Sequence, residues 1–240
     1  MKKKKLLIIC DSHGTNWGCK GYASLIENAL IRDWDTTTIK LPGLRIESAI
    51  LAITDTHESY DLILIGLGNP DIHPRIPRKF ILALRALGIK KARDSYFSVP
   101  PTICISYILR LPLFLLRLIL IRLFPEFYSS PKELKSVFTR IIKELSLKSD
   151  RILIIPTFRV DHRLYGQAHN VRSREFNDFL QEAFPTSTID PNRLTCTSYE
   201  NHYNKDYFHF KQGYQDILSI AIIKLIENTQ SSTKNEDATR

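Results

Sequence analysis

The unbroken apolar run Leu62-Ile-Leu-Ile65 is the feature that most limits what this chain can fold into. A strand with apolar residues on both faces is covered on both sides, as in a parallel sheet between two layers of helices. Further strands are predicted at Lys5–Cys10, Thr36–Leu41, Asp150–Pro156 and, more weakly, Thr186–Asp190. We therefore predict an α/β three-layer sandwich whose mostly parallel sheet has about five strands.

Segments with helical periodicity separate these strands, as the alternation of a parallel sheet requires. They cover residues 17–31, 45–53, 131–147, 171–184 and 211–227. The pattern favours a single domain over residues 1–228, and the polar residues 229–240 are expected to form a disordered tail.

Residues 73–130, hereafter the insertion, do not fit this alternation. The segment is too long for a strand-to-helix loop, and it contains a basic helical stretch, Pro77–Arg93, and an apolar one, Ile105–Phe124. We interpret it as a helical insertion beside the ligand-binding edge of the sheet.

The apolar stretch Ile105–Phe124 has the length of a membrane span. It also contains Arg110, Arg117 and Arg122, and each arginine near a bilayer centre costs roughly 2.5–3.5 kcal/mol. The sequence therefore favours a helix packed on the domain or on a second subunit. A helix lying in the membrane interface, which would make a peripheral membrane contact through residues 105–124, stays open.

The charge and the positions of the cysteines and histidines indicate which partners and cofactors to expect. The net charge is +9, from 34 Lys and Arg against 25 Asp and Glu, but basic residues do not alternate with aromatic ones, so we expect no nucleic-acid partner. The four cysteines and seven histidines show no metal-ligand spacing, so we expect no metal and no cofactor. The apolar run after Lys2–Lys5 is shorter than the roughly 7–15 residues of a secretion signal, which favours the cytoplasm, with association at the inner membrane face left open.

Three polar groups follow predicted strands at one edge of the sheet. Ser12 follows the first strand, Gly68–Asp71 follow the third, and Asp206-x-x-His209 follows the fifth. Because ligands bind beyond the carboxyl ends of parallel strands, these groups are expected to converge. Ser12 would be a nucleophile, His209 its base and Asp206 the carboxylate that orients the base. By itself, Ser12 would more simply cap the following helix.

This constellation resembles the SGNH (GDSL-like) hydrolase family, whose flavodoxin-like fold supports esterases, lipases and some acyltransferases. The resemblance implies an oxyanion hole made by the N–H of Ser12, the N–H of Gly43 and the side chain of Asn69. We further assign substrate binding to Asp11, Asp71 and Arg75.

Two departures from the family pattern stand out. Cys10 replaces the usual glycine before Asp-Ser. The family's Gly-x-Asn-Asp block can be aligned either on Asn69 or on Gly68 and Asp71, and the second alignment removes the Asn donor. The run Gly68–Arg75 is similar to a variant subgroup that accompanies bacterial surface-polysaccharide genes.

The resemblance implies a serine-dependent ester hydrolase or O-acyltransferase that acts through an acyl-Ser12 intermediate. Its partner would be a small-molecule or glycan ester, by preference a short acyl ester of a polysaccharide. The alternative is a catalytically weak or inactive binding protein of the same fold, peripheral to a membrane. The sequence leaves the oligomeric state open.

Overall fold

The computed structural model describes residues 3–41, 43, 46–55, 58–86, 105–160, 167–190, 202–204 and 208–237. Its strands are β1 Lys4–Cys10, β2 Trp34–Lys40, β3 Leu62–Gly66 and β4 Ile152–Ile154. Its helices are α1 Tyr22–Leu30, α2 Ile46–Thr54, α3 Asn69–Ile72, α4 Arg78–Ala86, α5 Ile105–Leu123, α6 Pro131–Ser146, α7 Gln167–Ala183 and α8 Gln212–Asp237.

The strands form one parallel sheet in the order β2-β1-β3-β4. β1 lies in the middle and pairs Leu7 with Thr37 on one side and with Ile63 on the other. Thr188, in the weakest predicted strand, joins the sheet through a single parallel bridge to Ile154. That segment has one large apolar residue to bury, Ile189, and pairs no further. The α/β sandwich is confirmed, with four strands among the described residues where about five were expected for the chain.

Helices cover both faces of the sheet, as the apolar β3 run indicates. Leu7, Ile9 and Ile63 of the sheet pack against α2, α6 and α7. Leu6, Ile8 and Leu64 pack on the opposite face against α1 and α8. The alternation of buried side chains along β1 and β3 therefore builds two cores, one on each side.

Three helix boundaries differ from the sequence pattern. α7 begins at Gln167, four residues before the predicted start. α1 begins at Tyr22, five residues after the predicted start, because residues 11–21 form a folded loop. A Cβ at Gly21 would lie 2.3 Å from the carbonyl oxygens of Gly14 and Thr15, so the loop closes directly on the helix start. α8 continues to Asp237, into the predicted tail, since an existing helix extends without a new nucleus.

The insertion forms α4 and α5, which pack together through Ile81 and Leu84 on α4 and Leu118 and Ile121 on α5. Residues 87–93 of the predicted basic helix lie outside the described residues. Among the helices that the structure describes, none combines the length and apolar character needed to cross a membrane.

Candidate active site

Ser12 lies in a turn at the carboxyl end of β1, beside the end of β3. The N–H of Asp11 donates to the carbonyl of Gly66 at 3.0 Å, and Thr15 Oγ1 donates to the Ser12 carbonyl at 3.0 Å. Ser12 is 6% exposed. Its hydroxyl and its N–H make no hydrogen bond to any residue in the described ranges. The two groups that acyl transfer would require of this residue are therefore available to a ligand.

Close packing holds the Ser12 turn in place. A Cβ at Gly14 would lie 2.6 Å from Cys10 Cβ and 2.8 Å from a ring carbon of Tyr22. Cys10 fills the space that the missing side chain of Gly14 leaves. Burial raises the pKa of the Cys10 thiol to about 12, so it is a neutral packing group.

The Asp11 carboxylate joins the Ser12 turn to Asn69, in the segment that follows β3. Its Oδ2 accepts from the Asn69 backbone N–H at 3.1 Å and from Asn69 Nδ2 at 2.9 Å. Its Oδ1 accepts from the His13 N–H at 3.0 Å. Asn69 Oδ1 in turn accepts from the N–H of Phe158 at 3.0 Å. These bonds fix the amide orientation of Asn69 and leave its second Nδ2 proton unused within the described residues.

Asp11 is charged in this setting although it is 1% exposed. Burial by itself would raise its pKa, but the contacts with His13 and Asn69 outweigh burial and hold the pKa of Asp11 below its usual value. A buried carboxylate with three N–H donors holds the geometry of its donors firmly. Asp11 was assigned to substrate binding, and a ligand would meet it only through Asn69 and His13.

His209 reaches the Ser12 turn from the far end of the chain. Its ring stacks on Trp17 with ring centroids 4.7 Å apart, and the centroid of the His13 ring is 5.4 Å away. His13 Nε2 donates to the carbonyl of Phe208 at 3.1 Å, which ties the two segments together. Asp206, the predicted orienting carboxylate, lies outside the described residues.

The Ser12 hydroxyl and His209 do not share a hydrogen bond in this structure. Catalytic hydrogen bonds are often long in a ligand-free enzyme and tighten when substrate binds. The structure thus brings the predicted nucleophile and base into one region without pairing them.

Gly43, the predicted second oxyanion donor, follows β2 at the same edge of the sheet. Leu41 N–H donates to the Cys10 carbonyl at 2.8 Å, so the chain leaves β2 beside the Ser12 turn. Gly43 has φ +67° and open space around its Cα, a backbone shape that favours glycine.

Asp71 and Arg75, both assigned to substrate binding, take different positions. Asp71 is fully buried, and its oxygens accept from the Ile46 N–H at 2.8 Å and from Ser129 Oγ at 3.2 Å. Arg75 donates from Nη2 to the Pro70 carbonyl at 2.9 Å and lies 4.3 Å from the centroid of the Tyr128 ring. Arg75 also lines a cavity, whereas Asp71 secures the start of α2 to the insertion.

A buried hydrogen-bond chain connects the insertion to Asn69. Arg117 Nη2 donates to His73 Nε2 at 3.2 Å, and His73 Nδ1 lies 3.4 Å from His169 Nδ1. His169 Nε2 lies 2.9 Å from the carbonyl oxygen of Phe158, whose N–H holds Asn69 Oδ1. Because a guanidinium can only donate, His73 carries its proton on Nδ1 and His169 carries its proton on Nε2.

Both histidines of this chain are neutral. Burial, followed by the charge of Arg75, holds the pKa of His73 well below its usual value. Burial lowers the pKa of His169 to about 3, against the opposing effect of its bond to Phe158. Each neutral ring offers one donor and one acceptor. The hydrogen bonds can therefore run in one direction, from Arg117 through the two histidines to Phe158, whose N–H holds Asn69.

The sequence interpretation missed the residues that support the site: Trp17, His73, Arg117, Phe158 and His169. One signal was present, since His169 lies at helical spacing with the buried residues Ser173, Phe176 and Leu180 of α7. Trp17 and His209 stack although they lie 192 positions apart, and no local sequence pattern indicates such a contact.

Sequence comparison finds no matching family model and no matching curated protein. Several solved structures are similar in fold. A lipase/acylhydrolase from Enterococcus faecalis has a TM-score of 0.56 at 12% identity, over 94% of this chain and 96% of that one. The acetylxylan esterase Axe2 from Geobacillus stearothermophilus has a TM-score of 0.55 at 13% identity, over 92% and 93%.

A member of the lipolytic G-D-S-L family from Veillonella parvula has a TM-score of 0.53 at 10% identity, over 92% of this chain and 96% of its own. The similarity spans nearly the whole length of each protein, while sequence identity stays low. The chain has the three-layer α/β fold of the SGNH (GDSL) esterases.

Proposed function

We propose that this protein is a serine-dependent ester hydrolase that acts through an acyl-Ser12 intermediate. The observation that carries the proposal is the position of His209, which stacks on Trp17 beside the turn that presents Ser12. A histidine from the end of the chain next to an uncommitted serine at the end of β1 is the arrangement that nucleophilic acyl transfer requires. The fold shared with esterases supports the same reading.

In the first half of the reaction, Ser12 Oγ attacks the ester carbonyl while His209 takes its proton. Negative charge develops on the carbonyl oxygen. The Ser12 N–H and the second proton of Asn69 Nδ2 are the donors available to it, and the N–H of Gly43 would be a third. The C–O bond to the alcohol then breaks, and His209 returns the proton to the leaving oxygen.

In the second half, water attacks the acyl-Ser12 carbonyl and His209 accepts a proton from that water. Release of the carboxylic acid restores the Ser12 hydroxyl. Asp206 would hold the imidazole in the tautomer that both steps need.

We extend the proposal to a short acyl ester on a carbohydrate. The similar Geobacillus protein is an acetylxylan esterase, and alanine variants of one serine and one histidine in that protein are described as catalytic mutants. Acetyl groups on a bacterial surface polysaccharide are the corresponding substrate class for this chain.

A fluorophosphonate probe tests the nucleophile directly. We expect the wild type to be labelled on Ser12, with labelling lost in Ser12→Ala and His209→Ala. The matched controls are Ser136→Ala, at an exposed serine on α6, and His202→Ala, at a half-buried histidine whose ring lies 4.9 Å from that of Tyr214. Both should label normally. Unlabelled but folded wild type, or labelling that survives Ser12→Ala, would overturn the proposal.

The acyl acceptor is identified by product analysis. Acetylated xylooligosaccharide incubated with the enzyme should release free acetate in proportion to enzyme concentration. Transfer of acetyl to an added sugar, with no free acetate, would instead identify an O-acyltransferase that uses the same Ser12 chemistry.

A further inference from the structure

The outward side of α5 exposes large apolar side chains at regular spacing. Leu115, Ile119 and Leu123 are 49%, 53% and 65% exposed, and Phe124 just beyond the helix is 61% exposed. Positions four residues apart lie on one face of a helix, so these side chains form a continuous stripe. A monomeric soluble protein seldom exposes such a surface without a partner for it.

The helix α4, which packs against α5, exposes basic residues on the side away from that contact. Its Ile81 and Leu84 face α5, while Arg78, Lys79 and Arg85 are exposed together with Leu82, which is 53% exposed. On α5, Arg122 is exposed beside this stripe. We call the outward sides of α4 and α5, with Phe124, the basic apolar face.

The charge of the whole protein is concentrated in this part of the chain. Residues 73–130 contain ten Lys and Arg against two Asp and Glu, which gives +8 of the total of +9. The other 182 residues contain 24 basic and 23 acidic residues, and they balance. Neither α4 nor α5 contains an acidic residue.

A cavity of about 500 Å³ opens beside α4. Arg75, Arg78 and Arg85 line it together with one acidic residue, Glu126, and with the apolar side chains of Leu82 and Phe127. Three arginines against one carboxylate, beside apolar side chains, suit a phosphate group that remains attached to hydrocarbon.

We propose that the basic apolar face docks on an anionic phospholipid surface. Apolar side chains enter the boundary between headgroups and acyl chains, while arginine and lysine side chains bind the phosphates. The three arginines of α5 favour a helix that lies in this interface over one that crosses the bilayer. This docking goes beyond ester hydrolysis and does not depend on it.

Charge decides against a second copy of the chain as the occupant. A symmetric dimer built on this face would bring two insertions of +8 together, and like charges repel. A nucleic acid would match the charge but would leave the leucine and isoleucine stripe unused. A lipid surface satisfies both halves of the face.

Co-sedimentation of the full chain with vesicles tests the proposal. The vesicles contain either phosphatidylcholine alone or phosphatidylcholine with about 30% phosphatidylglycerol. We expect binding to the anionic vesicles and little binding to the neutral ones. Raising the salt concentration should weaken this binding.

Two sets of variants separate the two halves of the face. Ile119→Ser with Leu123→Ser removes part of the stripe, and Ile31→Ser with Leu147→Ser, which are 60% and 78% exposed elsewhere, is the matched control. Arg78→Gln, Lys79→Gln and Arg122→Gln together should weaken partitioning roughly a hundred-fold, at about five-fold for each charge. Lys132→Gln, Arg140→Gln and Lys143→Gln on α6 remove the same charge away from the face.

Loss of binding in both face variants, with binding kept in both controls, would support the proposal. Equal loss in the α6 charge variant would show an attraction without a defined face and would overturn it, as would absence of binding to anionic vesicles. Sedimentation equilibrium tests self-association. A concentration-dependent dimer that the stripe variant abolishes would assign the face to contact between two copies of the chain and would overturn the lipid assignment. RNA binding that needs only the cations would overturn the lipid assignment. Fluorophosphonate labelling of Ser12 reports independently on the proposed hydrolase, since none of these variants lies in its site.

Discussion

The insertion and the body of the protein, meaning all residues outside 73–130, place apolar side chains and charge in opposite ways. The body buries the apolar residues of its sheet, with Leu64 fully buried, and its charges balance. Its exposed apolar side chains, such as Ile31 and Leu147, lie at the ends of separate helices. The insertion turns Leu115, Ile119 and Leu123 outward and carries nearly all of the net charge. The body therefore supplies fixed geometry for the candidate site, whereas the insertion exposes the surface that we propose to contact a membrane.

The two parts nevertheless meet at the site. Arg117, on the inner side of α5, is 2% exposed and begins the hydrogen-bond chain that ends at Asn69. The insertion thus has an outward side with few packing constraints and an inward side that is part of the body's buried polar structure. Four predictions test how sharp this division is.

Truncating matched leucines should give the largest contrast. Leu64→Ala removes a fully buried side chain from β3 and should lower the free energy of unfolding by about 2–5 kcal/mol. Leu123→Ala, at a position 65% exposed, should change it by no more than about 0.5 kcal/mol. Urea denaturation measures both. A loss above about 1 kcal/mol for Leu123→Ala would show that the stripe already packs against the protein.

Under the proposed mechanism, Asn69→Ala should slow ester hydrolysis about 10²- to 10³-fold in kcat, because Asn69 would be an oxyanion donor. The KM should change little, since the donor acts on charge that develops in the transition state. Steady-state kinetics on p-nitrophenyl acetate measure both constants. Ser136→Ala is the control, and an unchanged kcat in Asn69→Ala would favour the alignment in which the family's asparagine is missing.

Gly14→Ala should destabilise the protein by about 1–3 kcal/mol, because the new Cβ would meet Cys10 and Tyr22 at 2.6–2.8 Å. Gly213→Ala is the matched control, since nothing lies within 4 Å of a Cβ there, and it should be neutral or slightly stabilising. Thermal unfolding compares the two variants. Equal unfolding temperatures for the two variants would show that the backbone of the Ser12 turn can shift to admit the new Cβ at little cost in stability.

The neutral histidines predict a pH dependence of stability. His73 and His169 have depressed pKa values in the folded protein, so the unfolded chain binds more protons once the pH falls below about 6.5. Each should then cost about 1.4 kcal/mol per pH unit as the pH falls from about 6.5 toward about 3 for His169.

Urea denaturation between about pH 7 and pH 4.5 measures this slope, and His169→Gln should reduce it. Asp11, whose pKa is lowered, loses its contribution only below its unfolded value of 3.8, outside that interval. A slope that is the same in His169→Gln and in the wild type would contradict the assignment of a neutral His169.

Local patterns were enough to predict the layered fold. The apolar runs at β1 and β3 and the periodicity of α6 depend on neighbouring residues, and the structure has them within a few positions. The start of α1 was missed because it is set by contact of Gly21 with Gly14 and Thr15, which periodicity does not record.

The candidate site also has a part that local sequence predicts and a part that depends on long-range contacts. Ser12, Asn69 and His209 follow or precede predicted elements, so topology alone places them at one edge of the sheet. The chain from Arg117 to Asn69 depends on rotamers and tautomers of residues up to 96 positions apart, and no local rule predicts such partners.

The uneven charge has a consequence for how the molecule moves toward a surface. In a chain whose net charge is carried almost entirely by the insertion, that charge is unevenly distributed, and an anionic surface would exert a torque on such a molecule. At physiological salt this torque acts only within about one Debye length, roughly 8–10 Å. The molecule is therefore turned with its insertion leading during the last nanometre of approach, before any side chain makes contact.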